Sequence, residues 1–233
     1  MPSFVLRDSA MKSVLIFIFC LNSWACLAQE TKTVNYGSFT GAIGSNQGSL
    51  SVDFFHLWRL GEARKIEVGV GGRITSYFGS AQYYSSAPAE LADVPAKSDS
   101  LLLQSPQVNS INLSINIGYR LSAKIGLGFN IDAAGFTLGA EKAGSYLNGN
   151  QGSAASAKPT PYNLLLVGHN DHGTLNSEFY LRYFFKEGLG IKVAYQYLFT
   201  EYTTNTKVQQ APEPNDRFRN ISNLFSLGIT KQF

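Results

Sequence analysis

The chain has 233 residues and a net charge of +3 from 19 basic and 16 acidic residues; 15% of its residues are charged and 13% aromatic. So even a balance provides no basic surface for nucleic acid, and the charged fraction lies below the ~25% of ordinary soluble domains. No segment beyond the amino terminus has the ~20 uninterrupted apolar residues of a membrane helix, which leaves a soluble β-protein or a membrane barrel.

Arg7 and Lys12, an apolar run from Ser13 to Leu21 and small residues up to Gln29 have the layout of a secretory signal peptide, with Met11 as an alternative start and cleavage expected after Ala28. Lipid attachment at Cys26 is the rival reading, opposed by the bulky Trp24 inside the small-residue box. Cys20 and Cys26 both fall in the part removed, so the exported chain needs no disulfide. The expected plan is a signal peptide at 1–28, a short segment at 29–33 and a barrel at 34–233.

Successive strand residues face opposite sides, and most of the remaining chain alternates accordingly. Val34 to Ile43 is rich in Gly and Ser and is included for a topological reason, to supply an outward strand ahead of the next one. From Ser49 to Leu60, Leu50, Val52, Phe54 and Trp58 oppose Ser51, Asp53 and Arg59. Ile66, Val68, Val70, Ile74 and Phe78 oppose Glu67, Gly69, Gly71, Arg73 and Thr75. Ile111 to Tyr119 oppose Asn112 to Arg120, and Ile125 to Ile131 oppose Lys124, Gly126, Gly128, Asn130 and Asp132. Leu175, Phe179, Leu181, Tyr183 and Phe185 oppose Glu178 and Arg182; Leu189 to Phe199 oppose Lys192 and Gln196; Ile221 to Ile229 oppose Ser222, Ser226 and Gly228. A break at Ala133-Ala134-Gly135 predicts a bulge.

The connections alternate too. Gly61 to Arg64, Leu121 to Ala123 and Lys186 to Gly188 are tight, whereas Gly79 to Ser105, Gly139 to His172 and Thr203 to Arg217 are long and polar, with a short loop at Gly44 to Gly48. That asymmetry is the pattern of transmembrane β-barrels. The expectation is an all-β protein: an eight-stranded antiparallel up-and-down transmembrane barrel with a polar, filled interior and long extracellular loops. A soluble lipocalin-like barrel would place its apolar residues inside. Aromatics should gather at the two interfaces, Trp58, Tyr119, Tyr183, Phe185 and Phe233 at the inner one and Phe78, Tyr197 and Phe199 at the outer.

Eight strands leave room inside only for side chains, and buried charges must be paired. Asp53, Arg59, Glu67, Arg73, Arg120, Lys124, Asp132, Glu178, Arg182 and Lys192 are therefore expected to form an interior charge network that leaves no open pore.

The last strand, Asn223 to Phe233, alternates Phe225, Leu227 and Ile229 and ends on Phe233. With the signal peptide and the strand pattern, residues 34 to 233 resemble small outer-membrane β-barrel proteins of the OmpA/OmpX type, in the form common among Bacteroidota. The resemblance implies a Gram-negative outer membrane, contact with its lipid and lipopolysaccharide, and recognition of Phe225, Leu227, Ile229 and Phe233 by the barrel assembly machinery. It carries no catalytic residue across; no cofactor is expected, and no periplasmic peptidoglycan-binding domain is expected because the chain stops at the end of the barrel.

Other chemistry is thinly signalled. His169 and His172 beside Asp171 have spacing that could hold a divalent ion, in a loop whose composition favours these residues anyway. His56, Ser177 and Glu201 are the residues a lipid A-modifying enzyme could use, but His56 and Ser177 fall on strands that are not neighbours, Glu201 sits at an outer strand end, and nucleophile and base must touch. Gly69 to Gly72 look like a phosphate loop but lie inside a strand that leads into no helix. The expected function is a non-enzymatic barrel displaying long loops for adhesion, envelope integrity or partner binding. The alternatives are a lipid A-modifying enzyme and a barrel component of a secretion or assembly complex.

Overall fold

The computed structural model describes residues 33–87, 89–92, 94–147, 153–166, 170–186 and 188–233. The signal peptide expected at 1–28, residues 29–32 and His169 lie outside them. In chain order the elements are β1 (Thr33–Gly44), β2 (Gln47–Leu60), β3 (Ile66–Gly79), β4 (Gln82–Ser86), one helical turn α1 (Ala89–Ala92), β5 (Ser100–Leu103), β6 (Gln107–Arg120), β7 (Ile125–Leu138), β8 (Lys142–Tyr146), β9 (Ser153–Pro159), β10 (Tyr162–Leu164), β11 (Leu175–Lys186), β12 (Leu189–Thr204) and β13 (Arg217–Gln232).

All thirteen strands among the described residues belong to one antiparallel sheet. Eight long strands run β1-β2-β3-β6-β7-β11-β12-β13, and β13 returns to β1 from Tyr36↔Gln232 to Ile43↔Phe225, so this part closes on itself without an edge. The residues dictate which side faces in. On β6, Ile111, Leu113, Ile115 and Ile117 are exposed while Ser110, Asn112, Ser114 and Asn116 are buried, and the middle stretches of the other long strands alternate in the same sense.

The alternation predicts eight strands, and among the described residues the sheet has thirteen. The extra five lie in the stretches 79–105 and 139–172, read from the sequence as irregular loops. Each has three to seven residues and little apolar alternation, too short a run for a period of two to register.

Four of these short strands build a second closed ring. β4 pairs with β5, β5 with β8, β8 with β9, β9 with the far end of β12, and β4 with the far end of β13. Because β12 and β13 also pair with each other, six strands form a small cap that shares two staves with the main ring. The connection from β12 to β13 is tied in by Gln209, whose amide donates to the Lys97 carbonyl and accepts from Ser86 (2.6 Å) and Asn215 (3.2 Å).

Turn chemistry follows the backbone. Gly61 (φ 77°) and Gly188 (φ 74°) occupy the left-handed region in tight turns, where a side chain would be strained. The short loop expected at 44–48 is only the two residues Ser45 and Asn46, with Asn46 at φ 55°. On β7 the register slips so that Leu113 pairs with Ala134 and Ser114 with Asp132, which leaves Ala133 as the extra residue of a bulge.

The lumen is layered rather than polar throughout. Its middle is polar and charged, but Val34, Tyr36, Phe55 and Leu57, with Phe184 against them, fill the end bearing the tight turns. At the other end Tyr77, Val108, Leu198 and Leu224 merge with Tyr84, Leu101, Leu103, Tyr146, Tyr202 and Phe218 of the cap into one apolar cluster. Phe199, expected at the outer lipid interface, is covered, with the Arg219 guanidinium 4.8 Å from its ring centre.

Candidate functional site

Interior charges from five strands meet in mid-lumen. Lys192 Nζ lies 2.9 Å from Asp53 Oδ2 and 2.7 Å from Glu178 Oε2. Arg73 lies 3.7 Å from that same Glu178 oxygen and 3.2 Å from Asp132 Oδ1, and it donates to Asn130 and to the Asn176 carbonyl. Anion and cation thus alternate from Asp53 through Lys192, Glu178 and Arg73 to Asp132. The spare lone pairs of Asp132 accept from Asn112 (2.8 Å), Ser114 (2.6 Å) and the Asn176 amide (3.0 Å). Removed from water, such charges hold only while each has partners.

A second group sits nearer the tight turns. Arg59 Nε is 2.9 Å from Glu67 Oε1, the Tyr36 hydroxyl donates to the same oxygen at 2.9 Å, and Arg120 stands 4.0 Å away at a partly exposed position. Two of the ten expected network residues fall outside both groups. Lys124 is exposed in the turn before β7, because its strand starts one residue later. Arg182 is buried, yet it pairs with no carboxylate among the described residues and lies between the rings of Tyr36 and Tyr180.

The sequence reading missed a third group. Fully buried Glu201 takes two bonds from Arg217 (3.0 Å each) and one from Arg219 (2.9 Å) on the outer side of the wall, where both guanidiniums also donate to the Asp171 carbonyl. The signal was the hairpin register: Glu201 pairs with Arg219, and Thr203 with Arg217. Beside this group Tyr83, Ser85 and Ala87 face Tyr197, Arg219 and Ile221 across a cavity of about 470 Å³.

The residues considered for catalysis are not brought together. His56 on β2 is bonded to Asn35 (2.8 Å) and stands edge-on to Trp58, Ser177 on β11 donates to the Tyr197 carbonyl (3.3 Å), and three strands lie between them either way round the ring. His172 stacks on Tyr162 with ring centres 4.0 Å apart. Among the described residues no three His, Cys, Asp or Glu side chains gather to hold a metal ion. Gly69 to Gly72 lie within β3.

The outer surface of the ring carries the remaining feature. Phe39, Val52, Ile74, Leu113, Phe179, Tyr195 and Leu227, with their outward neighbours, form an exposed apolar belt that runs round all eight long strands. Isolated exposed apolar residues are ordinary, but a continuous belt is rare on monomeric proteins dissolved in water and marks a membrane or protein interface.

The fold is similar to that of outer-membrane barrels of known structure. Neisserial surface protein A matches with 11% identity and a TM-score of 0.38, over 86% of this chain and 96% of that one. The Yersinia pestis outer membrane protein Ail in a phospholipid bilayer nanodisc matches with 10% identity and a TM-score of 0.40, over 88% and 100%. A major outer membrane protein from Thermus thermophilus matches with 9% identity and a TM-score of 0.35, over 86% and 99%. No family model matches the chain, and no curated protein matches it in sequence.

The cap has a chemical signature of its own. Burial pushes the Tyr146 hydroxyl well above the usual tyrosine range, helped by its bond to the Asp99 carboxylate, and burial does the same to Tyr84, bonded to Thr200 at 3.0 Å. A group whose folded value is raised stabilises the fold below its unfolded value and loses that contribution as pH rises through the folded one. Ultraviolet titration is expected to show a tyrosine fraction that ionises well above pH ~10, the ordinary value. Tyr84→Phe with Tyr146→Phe removes part of that fraction; an unchanged titration curve refutes the assignment.

Proposed function

We propose that this chain is a non-enzymatic outer-membrane barrel of a Gram-negative cell, of the OmpA/OmpX type and of the form common among Bacteroidota. In this reading the eight long strands cross the bilayer, the tight turns face the periplasm and the cap stands outside as the surface that meets a partner. The observation that carries it is the apolar belt. A spanning sheet must pair every backbone group and so must close, and this sheet closes with its apolar side outward. Export by the signal peptide at 1–28 and recognition of Phe225, Leu227, Ile229 and Phe233 by the barrel assembly machinery complete the route. The belt contacts outer-membrane lipid and lipopolysaccharide.

Ordering a chain segment costs about 1–2 kcal/mol per residue in backbone entropy, so a cap woven from four loop strands fits a surface whose shape is used. Adhesion, envelope integrity and partner binding all draw on such a surface. The test is a purified outer-membrane fraction run on a denaturing gel with and without heating, alongside protease treatment of intact cells. A heat-modifiable band that is cut only within 80–106, 139–174 or 205–216 is expected. Absence from that fraction, or cleavage at the tight turns of intact cells, overturns the reading. Mass spectrometry of lipid A with and without the gene tests the enzyme alternative, and a changed acyl pattern would displace the display function.

A further inference from the structure

The interior cations are not all treated alike. Arg59 and Arg120 share Glu67, Arg73 meets Asp132 and Glu178, and Lys192 meets Asp53 and Glu178. Arg182 has 2% of its surface exposed, meets no carboxylate among the described residues, and has no hydrogen-bond partner for Nε or Nη2. A guanidinium cannot escape by losing its proton, so a full positive charge is fixed there.

Its surroundings orient that charge. The Tyr36 and Tyr180 ring centres lie 4.3 and 4.2 Å from Cζ and clamp the guanidinium. Tyr180 is held by its bond to Asn116 (3.0 Å), and Tyr36 by Glu67 and Arg59. Aromatic faces attract a cation only in part; they leave the hydrogen-bonding edge unsatisfied, and that edge is the part of arginine that recognises anions.

Arg182 lines a narrow cavity at the tight-turn end of the lumen, together with Arg120, Glu67, Tyr36, Tyr180 and Phe184. It has room for little more than one water or one small ion. The charges at its walls are Arg120, Arg182 and Glu67, with Arg59 behind Glu67. Three cations thus stand against one carboxylate, and the site is short of negative charge.

We infer that Arg182 anchors a binding site for a small monovalent anion of the halide class, which enters at the tight-turn end and serves as the missing counter-ion. The site lies apart from the mid-lumen charges, where Lys192 and Arg73 already have carboxylate partners, and it does not depend on what the cap binds.

Two measurements test it on the full chain folded in detergent micelles. Crystals grown with bromide are expected to show an anomalous peak within hydrogen-bond distance of the Arg182 guanidinium; a water there, or bromide only at other positions, overturns the inference. Urea unfolding at constant ionic strength, with bromide replacing fluoride, is expected to show linkage. Above the dissociation constant, each tenfold rise in bromide raises the folding equilibrium constant toward tenfold, as one site on the folded state requires. Arg182→Met abolishes this dependence; should that variant fail to fold, Arg182→Gln and the bromide crystal of the unaltered chain decide the matter. Bromide dependence that persists without the guanidinium refutes the site.

Discussion

Lys192→Met is expected to lower the unfolding free energy by about 3–5 kcal/mol, the cost of stripping one partner from a buried ion pair. Lys192 is fully buried and is the side-chain partner of Asp53, whose Oδ1 already has none. Without the ammonium, Asp53 keeps no hydrogen-bond or ion-pair partner among the described residues, only the field of its cross-strand neighbour Arg73, and Glu178 is left with Arg73, Asn130 and Gln196. The double variant Asp53→Asn with Lys192→Met removes both charges and is expected to recover much of the loss, since replacing a buried pair by neutral groups of similar size is often near neutral. Urea titrations of the barrel folded into lipid vesicles measure both. A single variant within about 1 kcal/mol of the parent would mean that water reaches the mid-lumen and solvates Asp53.

Leu227→Arg is expected to destabilise the barrel in vesicles by about 2–4 kcal/mol, and Ile221→Arg by about 0–1 kcal/mol, because the cost of a charge on a lipid face falls from midplane to interface. Both residues point outward from β13, and their exposures are similar, 58% and 50%. Leu227 pairs with Gly41 and Val193 within the wall, whereas Ile221 lies beside the cavity at the cap end. Equal exposure with unequal cost is the mark of hydrocarbon around the middle of the ring. Equal and small costs would place the belt in water and remove the basis for a membrane function.

The three charged groups differ in how readable they were. Asp53, Glu67, Arg73, Asp132, Glu178 and Lys192 announce themselves one strand at a time, since each lies on the face opposite its strand's apolar row. Lys124 has the right parity but sits at a turn, where parity ceases to aim a side chain. Glu201, Arg217 and Arg219 have outward parity and would be out of place on a lipid face; Glu201 is buried and the two arginines half-buried, with the chain carrying Asp171 coming back to accept from both guanidiniums. That return is a contact across more than forty residues, and no local pattern encodes it.

The sequence alone determined which way each long strand faces, because one residue of slip would turn its whole apolar row inward and its charges toward lipid. From that came the closed wall, the tight and long connections, the bulge at Ala133 and the polar middle of the lumen. Only the tertiary structure decided what lies opposite what across the lumen: that Lys192 reaches Asp53, 139 positions away, that Arg182 meets two tyrosines and no acid, and that four short loop strands complete a ring on β12 and β13. Strand direction is set by neighbours two residues apart. Lumen partners and the cap depend on how the closed ring brings distant strands together, and that geometry exists only once the last strand has paired with the first.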